Sequence, residues 1–212
     1  MVKEKTGDIK AAYELRDSHG ADAVIAHYAS WADSYDRDTA SYGYVGPKSA
    51  ACALARFVQP SDVRVLDIGC GTGLAGEELA RLGFVRMDGT DISPQMLDVA
   101  SAKAVYERLF AGDVLEGLDC PDAAYDALIT VGTFGPVGPQ GFRECLRVLR
   151  PGGIACISIN EIFVDEQDFH GEMDRLVKSG VAELCERDRH PHLTEGGHEA
   201  YISVLRKTAG SG

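Results

Sequence analysis

The chain has 212 residues, 45% hydrophobic and 25% charged, with a formal charge of −12 at pH 7; this describes an ordinary globular protein with length for a full core. The acidic balance, with no compensating Lys/Arg stripe, disfavours a nucleic-acid partner. No apolar run reaches the roughly twenty residues that span a bilayer, the start MVKEKTGDIK is no signal peptide, and six cysteines without CxxC spacing read as reduced thiols, so a cytoplasmic protein with no membrane partner is expected.

The first twenty residues are polar, mixed in charge and expected to be loosely held. Residues 21–35 place Val24, Ile25, Tyr28, Trp31 and Tyr35 at helical spacing. Tyr28 and Trp31 read as core. Tyr35-Asp36 ends this helix before a mobile aromatic loop, Tyr42-Gly43-Tyr44, so Tyr35 reads either as packing or as a lid contact. Residues 47–57 form a second helix, which leads through Gln59-Pro60 into a strand.

Val63, Val65, Leu66 and Ile68 make that strand buried. Asp67 lies near its end, and Gly69, Gly71 and Gly73 follow at once, implying a tight turn with close backbone approach. Helical spacing then runs over residues 74–82 and stops at Gly83. Strand, glycine loop and helix form the first crossover of an open α/β sheet, whose ligands bind beyond the carboxyl ends of the strands. Two registers compete for the loop. Gly71, Gly73 and Gly76 fit the dinucleotide pattern GxGxxG, whereas an anionic Asp67 suits a cationic group and repels a pyrophosphate. Asp91, ending the second strand, is placed to grip a ribose diol in either register.

Ser93 can cap the next helix and Pro94 suits its first position. Met96 on its inner face lies either against an adenine or in ordinary packing. A short strand at 108–111 ends at Gly112-Asp113, where Asp113 either accepts from an adenine amine or turns the chain. A fourth strand (127–131) with an exit loop (130–136), a helix (140–149) ended by Arg150-Pro-Gly-Gly, and a fifth strand (154–159) come next. Residues 181–189 and 199–206 read as an antiparallel hairpin at the sheet edge. His190, His192, Glu195 and His198 in its loop match no common zinc spacing and read as solvated, with no metal expected.

VLDIGCGTG (65–73), DISPQML (91–97), AGDV (111–114), YDALITVGTF (125–134) and LRVLRPGGIACIS (146–158) resemble the motifs of class I S-adenosylmethionine-dependent methyltransferases, over residues 21–207. WADSYDRDTASYGYVGPKSA and VGTF followed by VGP are similar to the methyltransferase-like proteins related to the Williams–Beuren critical region protein. Between GTF and VGP this chain has only Gly135-Pro136, where relatives often carry a longer His-containing insert. The resemblance implies an α/β, three-layer Rossmann-like fold with a seven-stranded, mostly parallel sheet and an antiparallel C-terminal hairpin. It implies one domain over 1–212, with residues 1–60 as a helical lid region and 61–207 as the cofactor-binding core. S-adenosylmethionine is the implied cofactor, touched by Tyr35, Asp67, Gly69, Cys70, Gly71, Gly73, Asp91, Ile92, Met96, Asp113, Val114 and Thr130. Tyr42, Tyr44, Thr133 and Phe134 are implied at the acceptor pocket.

Methyl displacement needs a nucleophile held in line in a dry pocket, and no obligatory catalytic side chain. A hydroxyl or amine acceptor needs a base, for which His27, Asp36 and Glu161 are candidates. The expected function is methyl transfer to a small molecule. The alternatives are a non-catalytic S-adenosylmethionine-binding domain that regulates a partner, and a nicotinamide-dependent dehydrogenase using Gly71, Gly73 and Gly76.

Overall fold

A computed structural model describes residues 21–209, so the expectation for the first twenty residues lies outside the described chain. Helices α1 (Ala21–Ser41) and α2 (Gly46–Ala55) precede an alternating run of β1 (Arg64–Ile68), α3 (Leu74–Arg81), β2 (Arg86–Asp91), α4 (Pro94–Ala102), β3 (Arg108–Ala111) and β4 (Tyr125–Val131). The short α5 (Phe134–Val137), a 3-10 turn (Pro139–Gly141), α6 (Phe142–Val148) and β5 (Leu149–Asn160) come next. Helices α7 (Glu161–Glu166) and α8 (Phe169–Lys178) lead into β6 (Ala182–Leu193) and β7 (His198–Lys207). The strand order is β3-β2-β1-β4-β5-β7-β6. The first five strands are parallel, and β7 inserts antiparallel between β5 and β6. This is the expected sheet.

Strand alternation divides the core into two layers. Leu66, Ile68, Leu128, Ala155, Ile157 and Leu205 face one way, against Phe142 of α6 and Phe169 and Met173 of α8. Val65, Ile129, Cys156, Ile202 and Val204 face the other, against Leu54 of α2 and Leu79 of α3. Both faces of the sheet are therefore covered, as parallel strands require.

The elements depart from expectation where polar residues satisfy themselves. Helix α1 does not end at Tyr35-Asp36 but continues to Ser41. Ser34 and the Trp31 indole donate to Asp38, and the Thr39 hydroxyl donates to the Tyr35 carbonyl, so this polar turn closes its own hydrogen bonds. Strand β6 runs on to Leu193, which takes His190 and His192 out of the expected loop. Helix α8 was not expected, although Phe169 and Met173 stand at helical spacing and Asp168 caps it by accepting from Gly171 N–H.

The loop 42–45 is hydrogen-bonded to the end of β6 and the turn after it. Thr194 and Glu195 donate to the carbonyls of Gly43 (3.0 Å) and Tyr42 (3.1 Å), and Val45 donates to that of His192 (3.0 Å). A Cβ on Gly43 would collide with the Thr194 hydroxyl, so that glycine serves close packing.

Candidate active site

A cavity of about 420 Å³ lies at the carboxyl ends of β1 to β4. Backbone builds much of one side. Cys70 N–H donates to the Thr90 carbonyl (2.9 Å) and Gly73 N–H to that of Cys70 (2.8 Å), closing the loop after β1. Gly69 and Gly71 hold φ of +66° and +53°, where side chains are strained. A Cβ on Gly69 would strike the Thr133 side chain, whereas one on Gly71 would meet no protein atom within 4 Å. Gly71 opens onto the cavity.

Asp91 is fixed at both oxygens, Oδ2 accepting from Gly71 N–H (2.9 Å) and Oδ1 from Ser93 N–H (2.8 Å). Each oxygen keeps acceptor capacity, so the carboxylate can take a pair of vicinal hydroxyls. Burial raises its pKa, and the N–H donors work against that rise. Beside it Thr90 is buried with its hydroxyl unpartnered among the described residues. Ser93 caps α4 by accepting from Met96 N–H, and buried Met96 lines the cavity. Asp113 accepts from Leu115 N–H (2.8 Å), a local turn that orients its carboxylate. Val24, Tyr28 and Tyr35, one face of α1, line the cavity from outside the sheet. Asp91 and Asp113 are the charged side chains among its lining residues, and no Lys or Arg joins them.

The structure thus gathers Tyr35, Gly69, Gly71, Asp91, Ile92, Met96, Asp113, Val114 and Thr133 around one space, with Asp67, Cys70, Gly73 and Thr130 behind it. Alternation along β1 turns Asp67 to the Val65 face. There the Tyr106 hydroxyl donates to it (2.7 Å), and burial pushes its pKa up to about 7. Burial also drives the Cys70 thiol well above its ordinary range. Thr130 is fully buried, and Gly73 caps α3. A Cβ on Gly76 would strike the Tyr106 hydroxyl; the third glycine of the GxGxxG register makes room for a protein ring rather than a phosphate. Tyr42 and Phe134 are buried packing residues outside the cavity, the Phe134 ring 5.0 Å from that of Phe142.

None of the three candidate bases lines this cavity. His27 is outside it. Asp36 accepts from the Thr72 hydroxyl (2.5 Å) and pairs with Lys103 (2.7 Å). Glu161 accepts from Glu199 N–H (3.1 Å) and pairs with Arg189 (2.6 Å).

A second cavity of about 60 Å³ adjoins the first, with Tyr28, Tyr35 and Gly132 lining both. Trp31, Tyr44, Asn160, Phe163 and His192 are among its other walls, so Tyr44 lies here and not in the larger cavity. His192, expected in solvent, is 6% exposed, and burial pulls its pKa down to about 4. Thr90 and Gly132 were not among the expected site residues, although both stand where β2 and β4 end, the position that binds ligands in such sheets. His192 had no local signal. Its neighbour His190 shares a cluster with Glu186 and Asp188, in which Glu186 is already paired with Arg56.

A seven-stranded sheet with β7 reversed, a glycine loop after β1 and an acid at the end of β2 define the Rossmann-like methyltransferase class. Residues 65–153 match the family described as a methyltransferase domain. Human methyltransferase-like protein 27 is 31% identical over 195 residues, spanning 86% of this chain and 79% of that protein. A ubiquinone biosynthesis O-methyltransferase of Parvibaculum lavamentivorans is 36% identical over 110 residues, 49% of this chain and 43% of the relative. The crystal structure of a TehB-like SAM-dependent methyltransferase from Corynebacterium glutamicum aligns with a TM-score of 0.64 at 25% identity, covering 86% of this chain and 99% of the other. The chain belongs to the class I S-adenosylmethionine-dependent methyltransferase family, and its cofactor is S-adenosylmethionine. Among the described residues no helix is long and apolar enough to cross a membrane.

Proposed function

We propose that the larger cavity holds S-adenosylmethionine and that the chain passes its methyl group to a small molecule by direct displacement. The charge of the wall carries this reading: two carboxylates and no Lys or Arg. A sulfonium and an ammonium suit such a wall, and a pyrophosphate is repelled by it. Asp91 would take the ribose hydroxyls, since both its oxygens are oriented by backbone N–H groups. Asp113 would accept from the adenine amine, while Ile92, Met96 and Val114 would cover the base. Gly69 and Gly71 would let the amino-acid end approach the backbone. The bound cofactor supplies an electrophilic methyl on a positively charged sulfur.

The protein's own share is positioning and the exclusion of water. Positioning alone can lower a barrier by roughly 7–11 kcal/mol in favourable cases. In this reading the described part of the lid region, residues 21–60, covers a core of residues 61–207 within one domain. The Asp36 contacts to Thr72 and Lys103 tie that cover to the glycine loop and to the end of α4. The net charge of −12 argues against a nucleic-acid acceptor, and one relative is named as an O-methyltransferase of ubiquinone biosynthesis. Calorimetric titration with S-adenosylhomocysteine and with NADH tests the cofactor assignment. Saturable binding of the first and none of the second is expected; the reverse would end the proposal. A screen of small-molecule acceptors with labelled methyl donor then tests the transfer.

A further inference from the structure

The role of the smaller cavity rests on the larger one being the cofactor site. The two meet at Tyr28, Tyr35 and Gly132, so an acceptor at that junction stands between the methyl donor and a wall of rings. Trp31 and Tyr35 meet edge to face at 4.7 Å, Tyr28 lies 6.4 Å from each of them, and Tyr44 and Phe163 extend the wall. Charge is sparse. No Lys, Arg, Asp or Glu is among the residues lining the smaller cavity, and the larger one adds only Asp91 and Asp113. Gly71 and Ser93 N–H orient Asp91 and Leu115 N–H orients Asp113, in that reading toward the ribose and the adenine. The His192 ring packs edge to face on Tyr44, and its buried Nδ1 is closed off against Gly46, where a Cβ would stand 2.8 Å away. Asp36 and Glu161 are held in ion pairs outside both cavities. Among the described residues, no lining group is therefore placed to take a proton at the junction, and no Lys or Arg is there to hold an anion.

We infer that the acceptor is a neutral aromatic ring nitrogen, of the pyridine or N-substituted imidazole type, and that the aromatic wall of the smaller cavity receives the positive charge it gains. Such a nitrogen attacks through a lone pair in the ring plane and has no proton to lose. In the step the N–C bond forms from that lone pair, and the S–C pair stays on sulfur as a neutral thioether. The positive charge passes from sulfur to the ring. No proton moves, so no base is required. A hydroxyl acceptor must lose a proton, and a phenolate or thiolate would meet Asp91 and Asp113 with no Lys or Arg to hold it. Aliphatic amines are protonated at neutral pH and have no lone pair left, whereas ring nitrogens of the imidazole type titrate at or below neutrality. Flat rings pack well on aromatic walls, and a cation gains by lying over their faces, more so out of water. The wall thus favours the charge developing on the ring over the neutral ground state, which is the condition for faster transfer.

Isoquinoline and 2-naphthol are a matched pair of flat probes, one with a ring nitrogen and one with a hydroxyl. With labelled S-adenosylmethionine, label is expected on isoquinoline and not on 2-naphthol. The rate should stay constant within roughly twofold between about pH 7 and pH 9, whereas removal of a proton would raise it by up to about tenfold per pH unit. On protein saturated with S-adenosylhomocysteine, N-methylisoquinolinium should bind roughly threefold to thirtyfold more tightly than isoquinoline by calorimetry. Tyr44 lines the smaller cavity alone. Tyr44→Leu should cut that preference by roughly threefold, and Tyr44→Phe, which keeps the ring, should retain it. The wild-type comparisons stand whether or not Tyr44→Leu folds. No label on isoquinoline, label on 2-naphthol, a rate that climbs with pH, equal or weaker binding of N-methylisoquinolinium, or an unchanged preference in folded Tyr44→Leu would each overturn the inference. A wild-type protein that fails to bind S-adenosylhomocysteine would instead overturn the cofactor reading beneath it.

Discussion

The two cavities share three wall residues and are built by opposite means. Around the larger one, turns and strand ends do the work: Cys70 and Gly73 close the loop through backbone hydrogen bonds, and Gly71 and Ser93 N–H groups lock Asp91. Around the smaller one, side chains from α1, the loop 42–45, the β5–α7 junction and β6 converge, and no single turn sets their geometry. The sheet side of the first is specified locally. The second depends on the hairpin β6–β7 docking onto residues 42–45. Backbone makes the larger cavity, and tertiary packing makes the smaller one.

The cradle is most vulnerable at Gly71. Gly71→Val puts a β-branched side chain at φ +53° and fills space that no protein atom occupies. We expect S-adenosylhomocysteine binding to fall by about two orders of magnitude or more, with the circular dichroism of a folded protein retained. Undiminished affinity would take the loop out of the site. Asp91→Ala comes next. Hydrogen bonds to a charged group are worth about 1.5–3 kcal/mol each, so calorimetry should register a loss of at least tenfold for S-adenosylhomocysteine.

A third measurement asks whether Asp67 is structural. Its folded pKa of about 7 lies above the unfolded value, so the folded state holds the extra proton between those values. Its contribution is full in acid and lost as pH rises through about 7. Relative to Asp67→Asn, wild-type stability in denaturant should therefore decline by roughly 2–4 kcal/mol between about pH 4 and pH 7. A difference that does not change with pH would mean that Asp67 is not buried as described. The smallest effect is expected at the tie between the regions. Asp36→Ala removes a partly exposed ion pair with Lys103 and the hydrogen bond from the buried Thr72 hydroxyl, costing about 1–2 kcal/mol. It should speed hydrogen exchange over residues 24–41.

The cofactor half was legible because its signals lie within short windows. Three glycines after β1, an acid at the end of β2 with Ser93-Pro94 behind it, and Gly112-Asp113 after β3 each report a local turn. Alternation along β1 placed Asp67 on the Val65 side, but its partner there, Tyr106, lies 39 residues away and left no local trace. The α1 face at Val24, Tyr28, Trp31 and Tyr35 was visible as periodicity, but its polar continuation to Ser41 looked like a loop. His192 was hidden altogether. It sits in RDRHPHLTEGGHE, where polarity suggests solvent, and only the pairing of β6 with β7 together with the contacts to residues 43–46 buries it. Longer hairpins were predictable only from a β pattern that Pro191 and the charges obscure.

A crystal structure of the S-adenosylhomocysteine complex would put the division of labour between the two cavities to the sharpest test. We expect the ribose diol on the Asp91 carboxylate, the adenine against Met96 near Asp113, and the sulfur at the junction formed by Tyr28, Tyr35 and Gly132. A ligand bound elsewhere, or one whose sulfur faces away from that junction, would contradict it.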